Sequence, residues 1–109
     1  MKVIEEGWCF DNNSYPTNGE DVERYINNLS KAIQIPTISN FDNDLVDWSK
    51  FDEFHAFLEE AYPLIHSKLE KTIISKKSLV FHWKSAHPEK EPICMLAHQD
   101  VVPVSKGTE

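Results

Sequence analysis

The sequence predicts an α/β chain in which two helices precede the strands of a mixed sheet. Three observations carry this. Apolar residues recur at three- and four-residue spacing in residues 20–35 and again from about residue 52 to 61. Three short strand candidates follow, at Lys71–Ser75, Leu79–Lys84 and Ile93–His98. The last is an apolar run that emerges into His98-Gln99-Asp100, with Pro103 close behind.

Length and composition bound the rest. A chain of 109 residues forms at most one small domain and buries only a modest share of its surface. Its 40% hydrophobic content is ordinary for a globular protein. A net charge of −7, with no Lys/Arg stripe, argues against nucleic-acid binding. No stretch approaches transmembrane length, so no membrane partner is expected. Cys9 and Cys94 lie far apart with no Cys-x-x-Cys, which predicts no disulfide framework, and Cys94 is expected as a reduced core residue. Met1–Phe10 lacks the charged and apolar regions of a signal peptide, so a reducing, cytoplasmic setting is expected.

Residues 1–19 read as a tail or an edge segment. Val3, Ile4, Trp8 and Phe10 could dock as a short edge strand ahead of the turn-rich residues 11–19. The first helix, residues 20–35, carries Val22, Tyr25, Ile26, Leu29, Ala32 and Ile33 on one face. Asn18 is its expected cap, Glu20, Asp21 and Glu23 complement its first turn, and Pro36 ends it. Residues 37–48 are polar and acidic and read as a surface loop. The second helix starts at Ser49 or Asp52 and lines Phe54, Phe57, Leu58 and Ala61 along one face. Pro63 either kinks it or opens a separate short helix reaching about Leu69, and the second reading is favoured. Lys76-Lys77-Ser78 separates the first two strand candidates. The loop 85–92 has a length that suits an antiparallel hairpin between the second and third. The third is almost continuously apolar, as a strand buried on both faces would be.

In a strand, residues i and i+2 share a face, so His98 and Asp100 lie side by side where the strand meets solvent. An imidazole suits zinc, and a neighbouring carboxylate can fix its tautomer and raise its basicity. A bare His-x-Asp also arises by chance. The plain alternative is a strand-end histidine that hydrogen-bonds a turn carboxylate. The other histidines point less to chemistry. His82 reads as a strand histidine, His87 as a solvated loop residue and His66 as a helix residue with no evident partner. His55 and Glu59 are four apart on a helix, but the His-Glu-x-x-His pattern is missing and a surface pair is expected. Glu59-Glu60 do not face each other on a helix and read as solvated surface.

Leu96-Ala97-His98-Gln99-Asp100-Val101-Val102-Pro103-Val104 resembles the first metal-site motif of the dizinc peptidases related to aminoacylase and carboxypeptidase S. Residues 29–39 are similar to that family's first helix and its exit. Residues 54–66 resemble the second helix of its carboxypeptidase-S-like branch, and residues 79–84 with 92–96 resemble its first hairpin. The likeness covers roughly residues 20–109, which it implies are the N-terminal part of a zinc-peptidase-like catalytic domain without the lid or dimerisation domain. It implies hydrolysis of amide bonds in small peptides or N-acyl amino acids, with two zinc ions, a bridging water and a general-base glutamate. By position, His98 would be a metal ligand. Asp100 would be the catalytic-site carboxylate that clamps its ring. The remaining ligands and the base lie downstream of this motif in the family. One histidine does not hold a catalytic zinc, which needs about three protein ligands, so this polypeptide alone is expected to bind zinc weakly and to be inactive. A homodimer is expected only of the full-length form. Two other readings stay open: a non-catalytic remnant or interaction module with an exposed sheet edge, and an acidic α/β domain in which His98 and Asp100 are structural.

Overall fold

The computed structural model describes residues 19–105 and 107. The expected Asn18 cap and the proposed edge segment at Val3–Phe10 lie outside the described residues. Helix α1 spans Gly19–Ile33, two residues short of the expected end, because Pro36 disfavours helical backbone at the residue before it. Asp21 and Arg24 pair across one turn at 2.6 Å. Helix α2 spans Trp48–Ala61. Its start is set by Asp47, whose carboxylate accepts from the backbone N–H of Ser49 at 3.0 Å and so satisfies one of the free donors of the first turn. The cap therefore lies ahead of both expected starts. Helix α3 spans Pro63–Lys68 with Pro63 in its first turn, where the missing N–H has no partner to lose. The separate short helix is thus what forms.

The connection 37–48 is not wholly surface loop. It holds a short 3-10 turn at Asn43–Leu45, and it supplies two of the three buried residues among those described, Thr37 and Val46. The third is Phe51 on α2, 4% exposed, with the Trp48 ring tilted against it at 5.3 Å.

Strands β1 (Glu70–Ile74) and β2 (Ser78–His82) form an antiparallel hairpin with Glu70 opposite His82 and Ile74 opposite Ser78. Its turn, Ser75-Lys76-Lys77, needs a left-handed residue, and Ser75 takes it at φ 56°. Only β2 alternates, with Leu79 and Phe81 half-buried. Phe81 meets the His66 ring of α3 edge-on at 5.0 Å, which gives His66 a partner that the sequence did not reveal. Lys71 pairs with Glu59 of α2 at 3.1 Å, Lys77 with Asp52, and Lys76 lies over the Trp48 ring at 5.0 Å. The hairpin is thus moored along α2 by its cations.

The expected third strand is corrected. Residues 93–98 form no strand, and Ile93, Met95 and Leu96 are each more than nine-tenths exposed. A run buried on both faces needs a strand on each side and cover above and below, and the described residues supply neither. The hairpin therefore forms between the first two strand candidates and not across the loop 85–92. Cys94 is exposed rather than in the core for the same reason. Among the described residues, in place of a mixed sheet there is the hairpin and one isolated parallel bridge, Ile38 with Val101.

Candidate functional site

The bridge is what carries His98-Gln99-Asp100 to the body of the fold. Val101 N–H donates to the Thr37 carbonyl at 2.9 Å, and Ser39 N–H donates to the Val101 carbonyl at 3.1 Å. The Thr37 hydroxyl, part of a side chain that is 2% exposed, donates to the Gln99 carbonyl at 2.7 Å. A buried hydroxyl without a partner would be costly, and this bond satisfies it.

Side chains alternate along this segment. Gln99 turns inward and is half-buried, while His98 is exposed on the other side. The Gln99 amide nitrogen donates to the Lys77 carbonyl at 2.5 Å, which leaves its oxygen to meet His55 Nε2 at 2.9 Å. Since a carbonyl only accepts, the amide orientation is fixed, and His55 must carry its proton on Nε2. The sequence reading of His55 as half of a surface pair is corrected by this contact. Glu59, its supposed partner, pairs with Lys71 instead.

His98 and Asp100 stand together. His98 Nδ1 lies 2.8 Å from the Asp100 backbone carbonyl and 3.5 Å from its carboxylate Oδ1. The carbonyl can only accept, so Nδ1 carries the proton and Nε2 keeps its lone pair. The ring is thus held first by the backbone of Asp100, with the carboxylate beside it rather than clamping it. The Ser39 hydroxyl first, then the backbone N–H of Asp100, hold the Asp100 carboxyl below its usual 3.8 against the opposing effect of desolvation, and the His98 ring adds a smaller contribution in the same direction. Asp100 therefore stays a carboxylate at neutral pH.

The remaining candidates serve the surface. His82 sits 3.4 Å from Glu70, and His87 sits 3.3 Å from Glu89, both in solvent.

The chain was compared with known proteins. It is 36% identical over 88 residues to carboxypeptidase S of Saccharomyces cerevisiae, covering 76% of this chain and 15% of that protein. It is 36% identical over 81 residues to a carboxypeptidase S-like protein of Dictyostelium discoideum, covering 72% and 16%. It is 35% identical over 77 residues to the N-fatty-acyl-amino acid synthase/hydrolase PM20D1 of Mus musculus, covering 69% and 15%. The chain belongs to the M20 peptidase family. It spans about 15–16% of the length of these curated relatives. No family model matches the chain, and no solved structure matches it.

The donor chemistry of this M20 chain can be tested against a metal. His98 fits one ligand position, since its protonated nitrogen is occupied and its lone-pair nitrogen is on an exposed ring. No group of three or more His, Cys, Asp or Glu able to hold a metal occurs among the described residues. The described residues therefore do not by themselves complete a metal site. Sequence reasoning missed Thr37, His55 and Gln99. Their link spans separations of 44 and 62 residues, which no local spacing encodes.

Proposed function

We propose that residues 20–109 are the N-terminal part of the catalytic domain of a dizinc amidohydrolase that acts on small peptides or N-acyl amino acids. The observation that carries it is the His98 ring, tied at Nδ1 with the Nε2 lone pair left free and an ionised Asp100 beside it. The names of the relatives, a carboxypeptidase S and an N-fatty-acyl-amino acid synthase/hydrolase, support the substrate class. In this reading His98 is the metal ligand. Asp100 and its carbonyl orient the ring and raise its basicity. Bound zinc would acidify a water and polarise the scissile carbonyl. With one such ligand, the 109-residue polypeptide alone binds zinc weakly and does not hydrolyse amides. A homodimeric whole protein and a reducing, cytoplasmic setting belong to the same reading.

The test is a graft. Residues 20–105 replace the matching stretch of yeast carboxypeptidase S, and the chimera is assayed on small peptides. Peptide hydrolysis is expected. Asp100→Ala should lower zinc affinity or activity about 10–100-fold, and His98→Ala should lower both further. Unchanged zinc content and activity in His98→Ala would reduce the pair to a structural feature. Metal-dependent amidase activity from the 109-residue polypeptide would overturn the single-ligand argument.

A second reading draws on the exposed run Ile93–Leu96, which could pair with a partner strand and make the chain an interaction module. A stable native product near 12.6 kDa would favour it.

A further inference from the structure

Three side chains far apart in sequence converge behind the His98–Asp100 pair, and none of them is explained by metal ligation. Gln99 is engaged on every polar group that it turns inward. Its carbonyl accepts from Thr37 at 2.7 Å, its amide oxygen from His55 at 2.9 Å, and its amide nitrogen donates to Lys77 at 2.5 Å. These bonds reach the α1–α2 connection, helix α2 and the hairpin turn. Together with the Val101 N–H on the Thr37 carbonyl, they fix the backbone on both sides of the Asp100 peptide carbonyl. That carbonyl is the group that holds His98 Nδ1. Rotation of Gln99 would turn the peptide and release the ring.

We infer that Gln99, held by His55, is the positioning residue that locks His98 in the Nδ1-protonated tautomer, with Nε2 free to ligate. The bonding sequence runs from His55 Nε2–H to the Gln99 amide, through the backbone of residues 99–101, to the Asp100 carbonyl and the His98 ring. His55 therefore acts on the site without touching it. Hydrogen bonds in a partly buried chain of this kind reinforce one another, so loss of one member is felt at the far end. The inference rests on His98 being a ligand only for its consequence in catalysis. The tautomer itself is a property of the metal-free chain.

The test uses the 109-residue chain labelled with 15N, free of metal, with long-range proton–nitrogen spectra that read the protonated nitrogen of each histidine. Wild type should show His98 protonated on Nδ1 and His55 on Nε2. His55→Phe and Gln99→Leu should each change the His98 tautomer ratio at least about threefold, while circular dichroism shows α1 and α2 intact. Gln99→Glu, which still accepts from His55 but cannot donate to Lys77, is a milder variant should Gln99→Leu unfold. His55→Gln, whose amide can donate to Gln99, should restore the wild-type ratio. A merely structural role would lower the melting temperature and leave the ratio unmoved. An unchanged ratio in His55→Phe and both Gln99 variants overturns the inference. Failure of His55→Gln to restore the ratio also overturns it. The ligand reading is tested separately in the carboxypeptidase S chimera. If His98→Ala leaves the zinc content of the chimera unchanged while the tautomer of the 109-residue chain responds to His55, the ligand reading fails and the positioning role stands.

Discussion

At the scale of single residues, the site depends on which atoms face each other. His98 and Asp100 are two apart, and in a strand that spacing would put them on one side; no strand forms there, yet the two side chains still meet. Nδ1 of the ring lies 3.5 Å from the carboxylate. The spacing could not show that the Asp100 carbonyl, rather than its carboxylate, would take the ring proton. Nor could it show that Ser39 would stand beside the acid. Asp100 gives a direct check. A carboxyl held low in the folded state stabilises that state above the ordinary carboxylate range, and the contribution disappears as pH falls through the lowered value. Carboxyl NMR titration should place the Asp100 midpoint below 3.8, and Ser39→Ala should raise it. If Ser39→Ala leaves the midpoint where it was, Ser39 is not the main cause.

At the scale of elements, the sequence carries local structure clearly and non-local pairing poorly. Apolar periodicity located α1 and α2, and proline chemistry placed the start of α3 at Pro63. The paired stretches Glu70–Ile74 and Ser78–His82 match two expected strands to within two residues. Ile93–His98 forms no strand because continuous apolar sequence becomes a strand only when other strands flank it. Apolar character measures a demand for burial and does not ensure that the demand is met. The hairpin turn offers a test at this scale. Ser75 is the one non-glycine residue with positive φ among those described. Relief of left-handed strain of about 1–2 kcal/mol, less a glycine entropy term of about 0.5–1, should make Ser75→Gly more stable by roughly 0.5–1 kcal/mol. Urea melts followed on the hairpin amides would measure it. A destabilised Ser75→Gly would show that the side chain contributes more than its strain removes.

At the scale of the whole molecule, burial is sparse. Thr37, Val46 and Phe51 are the only buried residues among those described, while Ile93, Met95 and Leu96 stand at about nine-tenths exposure. Contiguous exposed apolar surface of this kind seeks a partner. The chain should therefore self-associate, and sedimentation velocity should show mass rising with concentration. Met95→Lys should shift it towards monomer. A monodisperse wild-type monomer with one cooperative melt would contradict this. No helix among the described residues is long and apolar enough to cross a membrane. The bridge between Ile38 and Val101 has its own consequence. The helices and hairpin close short loops, whereas this pairing must gather in everything between its two ends, at a larger entropic penalty for few bonds. The histidine and its acid are thus the last features that a folding chain acquires and the first that heat or denaturant takes away. Their arrangement would then be lost while the helices that frame it still stand.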